Sequence, residues 1–316
     1  MRREILAVVS VAQHFMALVL SVAAALSSAT AHGGDIYVTN YNYPTANGTI
    51  GEYTTSGAVV NSSLISVSYP YGIAVSGSDL FVGNNISGSI AEYTTSGAVV
   101  NPSLISGLSG PVGIAVSGSN LFVANFYTGT IGEYTTSGAV VNASLISGLR
   151  GPEGIAVSGS NLFVTNYYIG TIGEYTTSGT VVNPSLVSGL SEPWDIAVSG
   201  SDLFVTNLNA NTIGEYTTSG AVVNASLVSG LRGPYCIADS GSDLFVANGD
   251  GGTIGEYTTS GAVVNASLIS GLNGPIGIAV TQDVPEPSSL VLLFSFVGTG
   301  ILGLIGYAWR RRRWAT

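Results

Sequence analysis

The chain has 316 residues, 46% of them apolar and 8% charged, which is enough for one large folded domain or two ordinary ones and excludes both a disordered chain and a basic one. Between Ala31 and Val284 sixteen acids face Arg150 and Arg232, with no lysine, and a net charge of −14 repels phosphate backbones and excludes nucleic acid as a partner. Cys236 is the only cysteine and the histidines His14 and His32 precede the repeats, so an intrachain disulfide, Ser-His-Asp or Cys-His catalysis and histidine-ligated metals are excluded there.

Residues 1–31 begin with Arg2 and Arg3, continue through an apolar run from Ile5 to Leu26, and finish Ala29-Thr30-Ala31. This order predicts a secretory signal peptide cleaved after Ala31. A first transmembrane anchor is the alternative, because the apolar run is long for a leader.

Residues 32–283 are a repeat region. Glu-Tyr-Thr-Thr-Ser-Gly recurs from Glu52, Glu92, Glu133, Glu174, Glu215 and Glu256, at spacings of 40 once and then 41. In the unit that starts at Pro111, β-prone runs cover Gly113–Val116, Leu121–Asn125, Thr130–Thr135 and Ala139–Asn142, separated by Ser-Gly-Ser, a variable Gly-bearing loop and Thr-Ser-Gly. Four strands in about 40 residues is the spacing of a propeller blade. Both parities of Gly-Ile-Ala-Val and Leu-Phe-Val-Ala are apolar, so these strands are expected to be buried on both faces. The first unit starts at Asp35, on what corresponds to the second strand, and the last runs on into Gly277–Val280, the missing first strand. The fold expected is therefore an all-β, six-bladed propeller of four-stranded blades, closed by pairing of the N- and C-terminal strands. An open solenoid would need polar caps, which the ends of the array lack.

Pro111-Val112-Gly113-Ile114-Ala115-Val116, Leu121-Phe122-Val123 and Ile131-Gly132-Glu133-Tyr134 resemble the NHL-type propeller repeat. The departure is an Asn where that family often has Asp, at Asn40, Asn84, Asn125, Asn166, Asn207 and Asn248. The resemblance implies the same closed propeller.

Because strands alternate in direction, the loop after the second strand and the loop leading into the first open on one face. Those loops differ from unit to unit, whereas the turns on the other face hardly change, so function is sought on the varied face. The residue after each Pro is Tyr71, Val112, Glu153, Trp194, Tyr235 or Ile276, and the other loop contributes Tyr41, Tyr43, Phe126, Tyr127, Tyr167, Tyr168 and Asp250. Aromatic rings with polar tips lie well against sugar rings or peptide side chains, which makes this a candidate binding face; loop padding is the alternative. Asp195 and Cys236 replace the Gly of Gly-Ile-Ala-Val, and Asp239 replaces its Val. Glu153, Asp195 and Asp239 could form an acidic cluster holding Ca²⁺ or another divalent cation, the alternative being drift in a redundant array, with no cofactor. The six repeated glutamates have too few arginines to pair with, and are expected to accept hydrogen bonds from Thr, Ser or Tyr.

Residues 284–316 bring Pro285-Glu286-Pro287, an uncharged run from Ser288 to Trp309 long enough for a transmembrane helix, and Arg310, Arg311, Arg312 and Arg313. This order resembles the PEP-CTERM sorting signal of Gram-negative bacteria. The resemblance implies an exosortase as partner, transient anchoring in the inner membrane, and delivery to the cell surface or extracellular matrix; a plain C-terminal anchor is the alternative. The function expected is an exported, non-catalytic scaffold that binds polysaccharide or protein. The competing expectations are a metal-dependent propeller enzyme, lactonase-like or streptogramin-lyase-like by analogy of fold alone, and a structural component of the matrix.

Overall fold

The repeat's β-branched and aromatic runs, cut by Gly-bearing turns, form short antiparallel strands that hide their apolar faces only by stacking sheet on sheet. A computed structural model describes residues 34–42 and 47–281, in which twenty-four strands make six four-stranded sheets. The chain is a six-bladed β-propeller. Ala29, Ala31, Tyr43, Pro285, Glu286, Pro287, the Ser288–Trp309 run and Arg310 to Arg313 lie outside the described residues. No helix among the described residues is long and apolar enough to cross a membrane.

Blade 4 shows the plan: an inner strand Pro152–Ser158, a second Asn161–Asn166, a third Thr171–Thr176 and an outer strand Val181–Ser188, each antiparallel to the next. The second strand is the most buried. Phe81, Phe122, Phe163, Phe204 and Phe245, its central residues in five blades, are 1–2% exposed. Each such ring stabilises the fold by about 1.5–3 kcal/mol relative to an exposed one. The buried tyrosine of each Glu-Tyr-Thr-Thr turn joins the core of the neighbouring blade, as Tyr175 does beside Phe122, Ala124 and Ile131.

Ring closure follows the expected route. Blade 1 takes its inner strand, Pro275–Val280, from the end of the array and pairs it with Asp35–Asn40, in the register Ile36↔Val280 to Thr39↔Gly277. The seam is tightened by Thr281 N donating to Asp35 O at 2.9 Å and Asp35 N donating to Thr281 Oγ1 at 2.6 Å.

Two expectations need correction. The inner strands are not buried on both faces: Val75, Val116, Val157, Val198 and Val280 are half-buried at the margins of the core clusters, because no strand lies beyond them on the channel side. The fourth strand does not stop at Asn142 but runs Val140–Ile146. A register shift beside Glu133 puts its Val-Val pair outward, with Val140 64% exposed, and brings Ile146 into the core.

The repeated glutamates find one partner of the expected kind, Tyr37, whose hydroxyl donates to Glu52 at 3.4 Å, and others that were not expected. Asn120 Nδ2 donates to Glu133 and Asn161 Nδ2 to Glu174, each at 2.9 Å. In blades 2, 5 and 6 the corresponding residue is Asp79, Asp202 or Asp243, and burial together with that second carboxylate holds Glu92, Glu215 and Glu256 above the usual carboxylate range.

Candidate functional site

The inner strands position the site through a repeated β-bulge. In blade 2 the pairing passes from Pro70↔Asn84 to Ile73↔Val82, so Tyr71 and Gly72 together oppose one residue of the second strand. The same irregularity follows Pro111, Pro152, Pro193 and Pro234, and it recurs in blade 1 beside Ile276. A bulge releases its extra residue from the ladder and re-aims its side chain. Here it supplies the residue after proline to the mouth of the central channel, a cavity of about 120 Å³.

The cavity is layered. Its roof includes Tyr71, Val112, Glu153, Trp194 and Ile276, its middle Gly72, Gly113, Gly154, Asp195 and Cys236, and its floor isoleucines 73, 114, 155, 196, 237 and 278, one from every blade. The middle layer explains the repeated glycine. A Cβ on Gly113 would run into the carbonyl oxygen of Glu153, so in this blade the neighbouring inner strand leaves no room for a side chain. Blades 5 and 6 depart from this with Asp195 and Cys236, which meet each other.

Cys236 Sγ donates to Asp195 Oδ2 at 2.7 Å and Ile237 N donates to the same oxygen at 3.1 Å. Burial pushes the Asp195 carboxyl up, against the pull of these donors, and pushes the Cys236 thiol far up, with the carboxylate adding to it. The thiol is therefore an unreactive donor. Glu153 is 4% exposed, and its carboxyl lies well above the usual range because of burial first and the Asp195 charge second. Both carboxyls are thus pushed up by burial; only Asp195 has hydrogen-bond donors that pull it back. Asp239 does not belong with them. It lies four residues past Tyr235, toward the other end of the inner strand, where it bonds to Ser199 and the Gly241 amide. Among the described residues no three His, Cys, Asp or Glu side chains are grouped so as to hold a metal, so the predicted three-acid cluster is not formed.

Above the cavity the aromatic residues join into one connected set. Tyr71 of blade 2 stacks on Trp194 of blade 5 across the channel, centroids 6.3 Å apart, and Trp194 meets Tyr235 edge-on at 4.9 Å. Trp194 also meets Tyr167 at 5.6 Å, and the series continues through Tyr168 and Phe126 to Tyr127, each step 5.3–5.4 Å. Tyr127 and Tyr168 are 67% and 65% exposed, which makes the set a plate with one face in water. Val112 is instead buried in the core, Ile276 lines the cavity wall, and Tyr41 pairs with Tyr69 outside the set.

Sequence reasoning missed several supports. Thr39, Thr165 and Thr206, all fully buried, donate to the carbonyls of Tyr71, Trp194 and Tyr235 in the next blade at 2.7, 2.9 and 3.3 Å. The other three blades carry Gly83, Ala124 and Ala247 there and precede Val112, Glu153 and Ile276. The hydroxyl thus accompanies every aromatic residue at the mouth, a signal readable by comparing the units. Glu192, at φ 54°, hydrogen-bonds Tyr167, whose phenol burial and this bond push up to about 12. Its irregular loop gave no sequence signal.

No family model matches the chain, and no curated protein does. Solved structures do. The chain is similar to one in the nidogen/laminin complex, at 14% identity and a TM-score of 0.67, over 79% of this chain and 99% of that one. It is similar to virginiamycin B lyase from Staphylococcus aureus, at 19% identity and 0.58, over 81% and 94%. A gluconolactonase from Xanthomonas campestris matches at 13% identity and 0.56, over 65% and 77%. At these identities the likeness is one of fold alone.

Proposed function

We propose that this protein is an exported, non-catalytic propeller that binds polysaccharide or protein on its varied loop face. The observation that carries the reading is the connected set of seven aromatic side chains, Tyr71, Phe126, Tyr127, Tyr167, Tyr168, Trp194 and Tyr235, drawn from five of the six blades. Flat rings with wet edges pack against sugar rings and against peptide side chains with little loss of side-chain entropy. A fold neighbour found in a complex with laminin supports protein as one ligand class. The lyase and lactonase neighbours give an enzyme the same weight of fold analogy. A non-catalytic role is favoured because residues 33–284 contain no histidine and the cavity's cysteine is held protonated.

Export and sorting rest on the sequence resemblance of the two ends, the Ala29-Thr30-Ala31 cleavage motif and the Pro285-Glu286-Pro287 tail with its arginines, read by an exosortase-like enzyme. The NHL-type assignment rests likewise on the repeat's motifs. The binding test is retention of the purified protein on immobilised extracellular polysaccharide or protein. Changing Tyr127 and Tyr168 together to Ala should cut retention at least tenfold and leave thermal unfolding unchanged, and undiminished retention would overturn the reading.

A further inference from the structure

Glu153 is the least expected residue of the cavity. Its side chain is almost fully buried, at 4% exposed, yet none of the described residues forms a hydrogen bond with its carboxyl group, although the residue lines the cavity. A carboxyl group that lines a cavity with no protein donor on it is available to a group entering that cavity. Beside it stands the second carboxyl group of the cavity, Asp195, with no basic side chain opposite: the two described arginines, Arg150 and Arg232, are both exposed. In the layer of Glu153 the Tyr71 and Trp194 rings face each other across the channel, centroids 6.3 Å apart.

Rings beside a carboxyl group are chemistry for a cation. A hard divalent ion needs six or more oxygens, and the two carboxyl groups offer too few, since one oxygen of Asp195 is already taken by Cys236 and Ile237. An ammonium group needs less. It has three N–H donors, is satisfied by one or two carboxylate oxygens, and gains from ring faces within about 6 Å. Size decides the rest. A cavity of about 150 Å³ holds a benzene ring, so the 120 Å³ here is too small for a pyranose but admits an alkylammonium of a few heavy atoms.

We infer that the channel mouth is a binding site for the ammonium group of a small primary amine, held by Glu153 and flanked by Tyr71 and Trp194. The site shares Tyr71 and Trp194 with the polymer-binding reading, but the test of that reading changes Tyr127 and Tyr168, which do not line the cavity, so either can fail alone. Binding involves proton release. Glu153 is faced by Asp195 from blade 5, Tyr71 from blade 2 and Tyr167 from its own blade; burial and the Asp195 carboxyl hold its carboxyl well above the usual range in the free protein, and an ammonium taking the proton's place brings it down again, so the protonated fraction releases its proton to solvent. Affinity therefore rises from mildly acidic to mildly alkaline pH, and the heat of binding changes with the ionisation enthalpy of the buffer.

The test is calorimetric titration of the purified full-length protein with propylammonium chloride, against 1-propanol and sodium propionate at equal ionic strength. Propylammonium should saturate one site and bind at least roughly tenfold more tightly than either counterpart, and Glu153→Gln should remove that preference. Asp239→Asn, toward the far end of its strand, should leave it intact. Equal affinity for all three probes, absence of saturation, or a folded Glu153→Gln protein that still prefers propylammonium would overturn the inference. If Glu153→Gln fails to fold, Glu153→Asp serves: it keeps the charge and should still prefer propylammonium to 1-propanol, and loss of that preference would also overturn it.

Discussion

The two faces of the disc are built from the same repeat and solve opposite problems. On one, each Thr-Thr-Ser-Gly turn repeats the same bonds: Thr176 Oγ1 accepts from Thr180 N at 2.9 Å and meets Ser178 Oγ at 2.8 Å, and the turns of blades 1 to 6 are all alike. On the other, the six blades present five kinds of residue at one bulge, with only Tyr71 and Tyr235 alike, and the differences add up to the aromatic plate and the acidic cavity. Uniform turns hold the blades in register. That rigidity leaves the opposite loops free to vary without cost to the fold, so stability and binding fall on different residues.

That separation can be attacked where it predicts the largest effect. Phe163→Ala, in the middle of blade 4, should cost about 3–5 kcal/mol and lower the unfolding midpoint by about 10 °C, whereas Tyr168→Ala should stay within about 0.5 kcal/mol of the parent. Equal losses in a thermal melt would erase the distinction between core and plate.

A smaller effect tests the cavity. Because the Glu153 pKa is raised, the folded protein keeps a proton that the unfolded chain releases once the pH passes the ordinary glutamate value. Its contribution is complete at acidic pH and is lost as pH rises through its own elevated pKa; Glu52, Glu92, Glu215 and Glu256 act in the same sense. The midpoint should therefore be higher at mildly acidic than at mildly alkaline pH. Glu153→Gln should flatten the slope and raise the alkaline midpoint by roughly 2–4 °C for each kcal/mol recovered. A slope unchanged by the substitution would contradict a raised Glu153 carboxyl.

The smallest effects lie in the supports. Thr165→Ala leaves the Trp194 carbonyl without its donor, at a cost of about 1 kcal/mol. Trp194 should then become more mobile, seen as faster quenching of its fluorescence in a protein whose other tryptophans are changed to Phe. Thr176→Val should cost a similar amount without altering that signal.

The architecture was legible because turn chemistry and period recur six times, and because the array begins on a second strand and ends on a first. What misled was the reading of apolar runs as buried. Val157 ends such a run yet is half-buried, because no strand lies on its channel side, and Val140 and Val141 face solvent through a register shift between their own strand and the third; register irregularities leave no mark in a repeat where every copy shares them. For the site, the ring of residues after proline could be located but not its contacts. That Tyr71 reaches Trp194 across the channel depends on the diameter of the closed ring. Asp239 shares with Glu153 only its acid and its place on an inner strand; at about 3.3 Å per residue its offset along the strand puts it roughly 10 Å or more from that layer.

The most direct measurement of the division between the faces compares retention on immobilised extracellular polymer for two variants of equal thermal stability. One changes Tyr127 and Tyr168 to Ala on the plate, and the other changes Ser178 and Ser219 to Ala on the turns. Loss of retention in the first alone is the predicted result. Equal retention by both, or loss in the second, would contradict it.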